Sequence, residues 1–278
     1  MNGQLIHGRI LAIAIVAASS VPAVAVELYP VPQHGKWGYM NDEGKVVIQS
    51  SFETAMPFSD GLAFVKRGDE KGYINEKGEM VIKLSFDDGR PFREGLARVY
   101  KKEGLIGGKY GYIDKTGATA IYPKYEDAGD FHEGRAAVKV SGKWGYIDAT
   151  NVEKVKPQFD EAAHFSDGLA RVRAGGDWGG KVGFIDLNGK MAINPKYAEC
   201  GDFNDGHASF RDGDKWGYIN KHGDTVIEPQ FSEAGLFSDG LAAVRVGNLL
   251  GAKWGFINKS GKVVINPQYD EVRLFVYG

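Results

Sequence analysis

An all-β repeat fold is predicted for this chain by three observations. A Trp-Gly-centred segment recurs seven times, the runs around it are too short for helices, and turn residues punctuate those runs at fixed offsets. The anchoring glycines are Gly38, Gly72, Gly111, Gly145, Gly183, Gly217 and Gly255, separated by 34, 39, 34, 38, 34 and 38 residues. The extra residues always precede the Gly-aromatic strand, in residues 102–108, 175–180 and 247–251. A pair of repeats, roughly 72 residues, is therefore a candidate structural unit.

Each copy reads as three short strands. In the fourth they are residues 136–140, 144–148 and 152–155, and in the sixth residues 208–211, 216–220 and 225–227. Between the second and third strands lies an Asn/Asp-x-x-Gly element, as in Asn75 with Gly78, Asp114 with Gly117 and Asn220 with Gly223. The Asn or Asp side chain caps the turn, and the residue three later takes the left-handed conformation that glycine accepts without Cβ strain. The fourth copy has Asp148 and then Asn151, the other residue that tolerates this conformation.

The third strand leads into Pro-x-aromatic, at Pro123, Pro157, Pro195, Pro229 and Pro267. Proline lacks a backbone donor, so strand pairing is expected to end there. Ser50 and Leu84 replace it in the first two copies, marking them as divergent and suggesting an end cap. A second turn, Phe-x-Asp/Glu-Gly, runs from Phe58, Phe92, Phe131, Phe165, Phe203 and Phe237 into a Leu-Ala-x-Val strand that opens the next unit.

In the central strand Trp144 and Tyr146 point to one face, Gly145 and Ile147 to the other, and both faces are apolar. Glycine at that position implies close approach of a neighbouring backbone or ring. A meander this small cannot hide two apolar faces alone, so stacking on the next repeat must supply the core. The repeat tryptophans Trp37, Trp144, Trp216 and Trp254 are expected in that core.

The recurring pattern Lys-Trp-Gly-Tyr/Phe-Ile-Asp/Asn-x-x-Gly-Lys-x-x-Ile-x-Pro-x-Tyr/Phe resembles the WG-repeat family of bacterial proteins, although Lys71, Tyr110 and Val182 depart from the Trp. The resemblance covers residue 26 to the C-terminus. It implies a β-repeat scaffold, often exported and variable in repeat number, with no catalytic residues to carry over. Two architectures satisfy the pattern: seven three-stranded meanders stacked as an open superhelix, or a closed seven-bladed β-propeller. The first is the preferred expectation.

Residues 1–25 differ from the rest, holding one basic residue, Arg9, and no acid. A short apolar run at residues 10–18, then Pro22 and Ala23-Val24-Ala25, predicts a signal peptide cleaved after Ala25 and a single repeat domain over residues 26–278. The run is about half the roughly 20 apolar residues a spanning helix needs, so no membrane span is expected after cleavage. The protein is then exported, to the periplasm or the exterior. The formal net charge of −2, with no basic stripe, argues against nucleic acid.

Catalysis requires unlike residues converging on one point, whereas a repeat places like residues at equivalent points. The acids Asp60, Glu94, Glu133, Asp167, Asp205 and Asp239 recur beside a turn glycine and read as turn formers. His34, His132, His164, His207 and His222 sit at different places within their repeats, so no metal site is expected. Cys200 aligns with a small alanine and reads as a buried hydrophobe. No catalytic, metal or cofactor site is predicted. The leading binding surface is the set of insertions, with Lys101 and Lys102 in the first, Asp177 and Trp178 in the second and Asn248 in the third. Trp178 lies outside the consensus and is suited to stack on a sugar ring or a partner side chain. The expected function is a non-catalytic scaffold for a protein or envelope component, with a glycan or cell-wall binding module as the alternative.

Overall fold

The structure, a computed structural model, describes residues 27–105, 107–175, 180–247 and 251–272. The expected signal peptide therefore lies outside the described residues, as do Asp177, Trp178 and Asn248. The described residues form strands and turns, without helix, in seven antiparallel sheets whose strands follow chain order. Sheet 4 shows the pattern: Asp127–Ala128, Ala136–Val140, Lys143–Ile147 and Glu153–Phe159. Sheet 5 repeats it with Glu161–Ser166, Leu169–Ala174, Lys181–Asp186 and Met191–Tyr197.

The unit is thus larger than the three-strand meander expected. The segment after Pro-x-aromatic forms a leading strand in five sheets, turns through Phe-x-Asp/Glu-Gly and pairs with the Leu-Ala-x-Val strand, as Glu161 opposite Arg173 and Phe165 opposite Ala170. In sheet 6 this strand shrinks to a bridge between Cys200 and Phe210. Sheet 1 has three strands, Tyr29–Gln33, Lys36–Met40 and Val46–Phe52.

Proline does not end pairing either. Pro157 lies inside Glu153–Phe159, and the register skips from Tyr146 opposite Val155 to Trp144 opposite Phe159. The skip is a bulge, where a missing donor costs no ladder bond. Gly145 lies against it: a Cβ there would overlap the Val155 carbonyl oxygen and sit 2.7 Å from the Pro157 nitrogen. The same close approach occurs at Gly111, Gly183, Gly217 and Gly255. The Trp-Gly dipeptide and the distant proline are therefore two halves of one bulge.

The core lies between sheets. Tyr146 packs with Phe159, Phe165, Val172 and Ile185, facing sheet 5, whereas the adjacent Ile147 joins Tyr112, Ile121 and Phe131, facing sheet 3. Six such clusters occur among the described residues, one for each pair of consecutive sheets. At each interface the central aromatic meets the Phe of the following turn edge-on, with ring centroids 4.8–5.0 Å apart, from Tyr39–Phe58 to Tyr218–Phe237. Where the aromatic is Tyr, its buried hydroxyl donates to a carbonyl 17 residues on: Tyr39 to Met56, Tyr73 to Arg90, Tyr112 to Gly129, Tyr146 to Ala163 and Tyr218 to Gly235, at 2.6–2.9 Å. Each buried aromatic is worth about 1.5–3 kcal/mol by area, and its hydroxyl stays satisfied.

The stack is open. No apolar cluster joins the first and last sheets among the described residues, and Tyr29 at one end and Tyr269 at the other remain 43% and 45% exposed. The repeat tryptophans Trp37, Trp144 and Trp216 pack on the edges of the cores and stay half-buried instead of entering them.

Candidate functional site

The hairpin joining the Leu-Ala-x-Val strand to the Trp-Gly strand sits at the same end of every sheet, because all seven sheets run in the same order. Four copies close it tightly. His34-Gly35 and Ser141-Gly142 have positive φ at both positions, as a two-residue hairpin requires, and sheets 2 and 6 turn at Gly68 and Gly213. Sheets 3, 5 and 7 carry the insertions instead, on stems that end with Lys102 opposite Gly108, Ala174 opposite Lys181 and Val246 opposite Lys253. Long hairpins thus alternate with short ones along one edge of the stack.

Of the predicted binding residues, Lys101 and Lys102 end the strand Leu96–Lys102 and are exposed. The Lys102 N–H donates to Asp87 Oδ2 at 2.8 Å, and Lys101 Nζ lies 6.0 Å from the ring of Tyr122, which is 69% exposed. Leu105 at the loop tip is fully exposed. The repeat lysines near this edge are tied down: Lys36 bridges Glu53 at 3.1 Å, Lys71 donates to the Asp87 carbonyl at 2.8 Å, and Lys143 and Lys253 bridge Asp160 and Asp270. Such exposed pairs add little stability but fix side-chain positions.

The recurrent turn acids have a role that sequence reasoning missed. Five of the six carboxylates accept the turn-glycine N–H of the next repeat: Gly95 donates to Asp60, Gly134 to Glu94, Gly168 to Glu133, Gly206 to Asp167 and Gly240 to Asp205, at 2.6–2.9 Å. The acids themselves take φ of 50–57°. Lys259 also bridges Asp205, and its hydrogen bond holds that carboxyl below the usual range. The row links each repeat to the next. A signal was present in sequence, since an acid and a glycine recur together at every turn.

The histidines depart from expectation at one place. His132 and His164 stack with ring centroids 4.5 Å apart, across the interface of sheets 4 and 5. They line a hollow of about 280 Å³ together with Asp130 and Trp144. Asp130 is bound by Arg98 at 3.0 Å. Burial, then His164 and Arg93, pull the His132 pKa below its ordinary value. His132 follows Phe131 and His164 precedes Phe165, so two different offsets meet at one interface, which is why aligning equal offsets did not pair them. Among the described residues no group of three or more His, Cys, Asp or Glu could hold a metal ion. Burial pushes the Cys200 thiol up to about 12, so the reactive thiolate is scarce at neutral pH.

Seven segments, residues 37–70, 72–104, 110–144, 144–178, 183–216, 216–249 and 254–278, match the family described as WG containing repeat. The chain belongs to that family. No curated protein matches this WG-repeat chain. Among solved structures it is similar to Kluyveromyces lactis Hsv2p, at 10% identity, TM-score 0.45 and 72% of each chain. It is similar also to the β-propeller domain of the trilobed protease from Pyrococcus furiosus, at 8% identity, TM-score 0.46, and 89% of this chain against 99% of that one. The Pyrococcus horikoshii acylaminoacyl peptidase matches at 12% identity and TM-score 0.44, over 87% of the WG-repeat chain but half of the peptidase. At these TM-scores neither ring closure nor any activity carries over. Repeat family and all-β stacked scaffold stand together.

Proposed function

We propose that this WG-repeat chain is an exported, non-catalytic scaffold that holds a protein or envelope component along its long-hairpin edge. The observation supporting this reading is the alternation: the recurring pattern of each repeat is consumed by stacking, while three alternate repeats extend non-consensus hairpins from one edge. Loops held on a rigid frame are where binding residues concentrate. Lys101, Lys102, Asp177, Trp178 and Asn248 are the proposed contacts. The test is capture from the native envelope fraction by the chain beginning at Val26, beside a variant in which residues 103–107, 175–180 and 247–252 are each replaced by the Ser-Gly turn of sheet 4. The reading predicts a partner retained by the first and lost by the second; equal capture by both sinks it. Export is checked separately, by N-terminal sequencing of the mature protein, which should begin at Val26.

The exposed Tyr122 ring beside Lys101 favours a second reading, a glycan or cell-wall module, because aromatic faces stack on sugar rings. It predicts a glycan-array signal that Trp178→Ala or Tyr122→Ala weakens. No signal on the array, with protein capture intact, leaves the scaffold reading alone.

A further inference from the structure

The interface of sheets 4 and 5 lacks a side chain that neighbouring interfaces have, and from the groups left around that space we infer that it binds a small carboxylate carried on a ring. The place is the third residue of Leu-Ala-x-Val, which pairs with the central aromatic. It is Phe64 in sheet 2, Arg98 in sheet 3, Ala137 in sheet 4, Arg171 in sheet 5 and Ser209 in sheet 6. Phe64 is wholly buried and reaches the leading strand of sheet 3, where a Cβ at Gly89 would lie 3.1 Å from its ring. Arg98 and Arg171 pair with Asp130 and Asp202 of the following sheet, at 3.0 and 2.8 Å. The Arg98 guanidinium also lies 5.5 Å from the centre of the Tyr110 ring. Beside Ser209 the space is taken by Leu236 of sheet 7, which would be 3.6 Å from a Cβ at Gly201.

Ala137 brings only a methyl group, and the hollow of about 280 Å³ is what remains. Two of its walls differ in kind from those of the arginine interfaces. Trp144 stands where sheet 3 has Tyr110, and it is half-buried, with part of the indole left for a ligand. His164 stands where Asp130 and Asp202 stand, so the missing side chain is faced by an imidazole instead of a carboxylate. His132 adds a second ring, 4.5 Å from the first, and neither ring is hydrogen-bonded among the described residues. A neutral imidazole always has one N–H to give, and a protonated one has two. The hollow therefore offers donors where the neighbouring interfaces offer an acceptor.

Nearby charges do not oppose an anion. Arg93 faces His132, and Lys139 Nζ lies 5.9 Å from the centre of the Trp144 ring. Asp130 is ion-paired with Arg98, and Glu94 accepts the Gly134 N–H. Imidazole N–H groups on one side and an indole face on the other suit carboxylate oxygens joined to a ring that can stack. The volume is close to the lower limit of ligand pockets, about 300 Å³, so it admits one ring, free or at the end of a longer molecule. An acidic sugar and an aromatic acid share this chemistry. The inference does not rest on the long hairpins, since sheet 4 has a short one.

Titration calorimetry with sodium benzoate and sodium glucuronate, beside the neutral benzyl alcohol and glucose, tests it. At least one acid should bind, and its neutral counterpart should bind at least about tenfold more weakly, the worth of one hydrogen bond to a charged group. Benzoate alone would identify an aromatic acid as the ligand, and glucuronate alone an acidic sugar; either result supports the site. His164→Ala, a change at an exposed side chain, should weaken the acid by a similar factor. Ala137→Arg combined with His164→Asp rebuilds the arrangement that Arg98 with Asp130 and Arg171 with Asp202 already show, so circular dichroism should be unchanged and binding lost. Failure of both acids to bind, equal binding of an acid and its neutral counterpart, or binding that survives the double substitution would each overturn the inference.

Discussion

Glycine at the centre of each Trp-Gly strand meets a steric requirement set by a residue 12 positions away. Gly145 lets the bulge at Pro157 fold against the central strand, and its Cβ position is already occupied by backbone. Backbone cannot step aside as a side-chain tip can, so Gly145→Ala should cost about 1–3 kcal/mol, the range of overpacked cores. Urea unfolding checks it, with the exposed Thr150→Ala as a reference for ordinary turn effects. The tyrosine next door acts through a single hydrogen bond. Tyr146→Phe leaves the ring and its contact with Phe165 in place and strands the Ala163 carbonyl, so a loss of about 1 kcal/mol is expected. Phe184 occupies the equivalent place in sheet 5 with full burial, which shows that the site tolerates the ring alone. A loss as large as that of a core truncation, about 3–5 kcal/mol, would contradict this division of roles.

At the scale of elements, the interface of sheets 4 and 5 differs from the others in holding two stacked imidazoles. His132 has a folded-state pKa below that of the unfolded chain, so the unfolded state binds more protons as pH falls through the ordinary His range near 6.5. Its contribution is therefore complete above that range and is lost on acidification. The charged groups near it, Arg93, Asp130 and Glu94, are of both signs, and Asp130 is engaged by Arg98. The melting temperature should fall between pH 7 and pH 5, and His132→Gln should flatten that fall; an unaltered slope would remove the pair from the account. The pair also shows where sequence reading stops. Turn chemistry was legible because Asn/Asp-x-x-Gly is local, and Asn75, Asp114, Asp148 and Asn220 each cap their own turn. The leading strand and the proline bulge were not, because both are defined by pairing partners across a turn. Of the candidate site, the insertions were visible as changes of spacing, while the histidine contact joins unlike positions of two repeats and leaves no periodic trace.

For the whole molecule, the cores found among the described residues each lie between consecutive sheets, so stability should be a sum over neighbours and not a property of one centre. The alternating spacing makes the pair of sheets the natural unit to remove. Deleting residues 126–197 takes out sheets 4 and 5 and brings Tyr112, Ile121 and Tyr125 of sheet 3 against Ala208, Phe210 and Ile219 of sheet 6, the same kinds of residue that met before. The Gly206 N–H would then face Glu94, an acid in the place where Asp167 stood. The shortened chain should fold, keep its β circular dichroism and unfold with an m-value lower by about two sevenths, since m follows the surface exposed. A single closed core would behave otherwise, because losing two of seven sheets would leave it unable to form. Collapse of the deletion variant into an unfolded chain would therefore refute nearest-neighbour stacking, whereas a folded product with the reduced m-value would show that each sheet relies only on the two beside it.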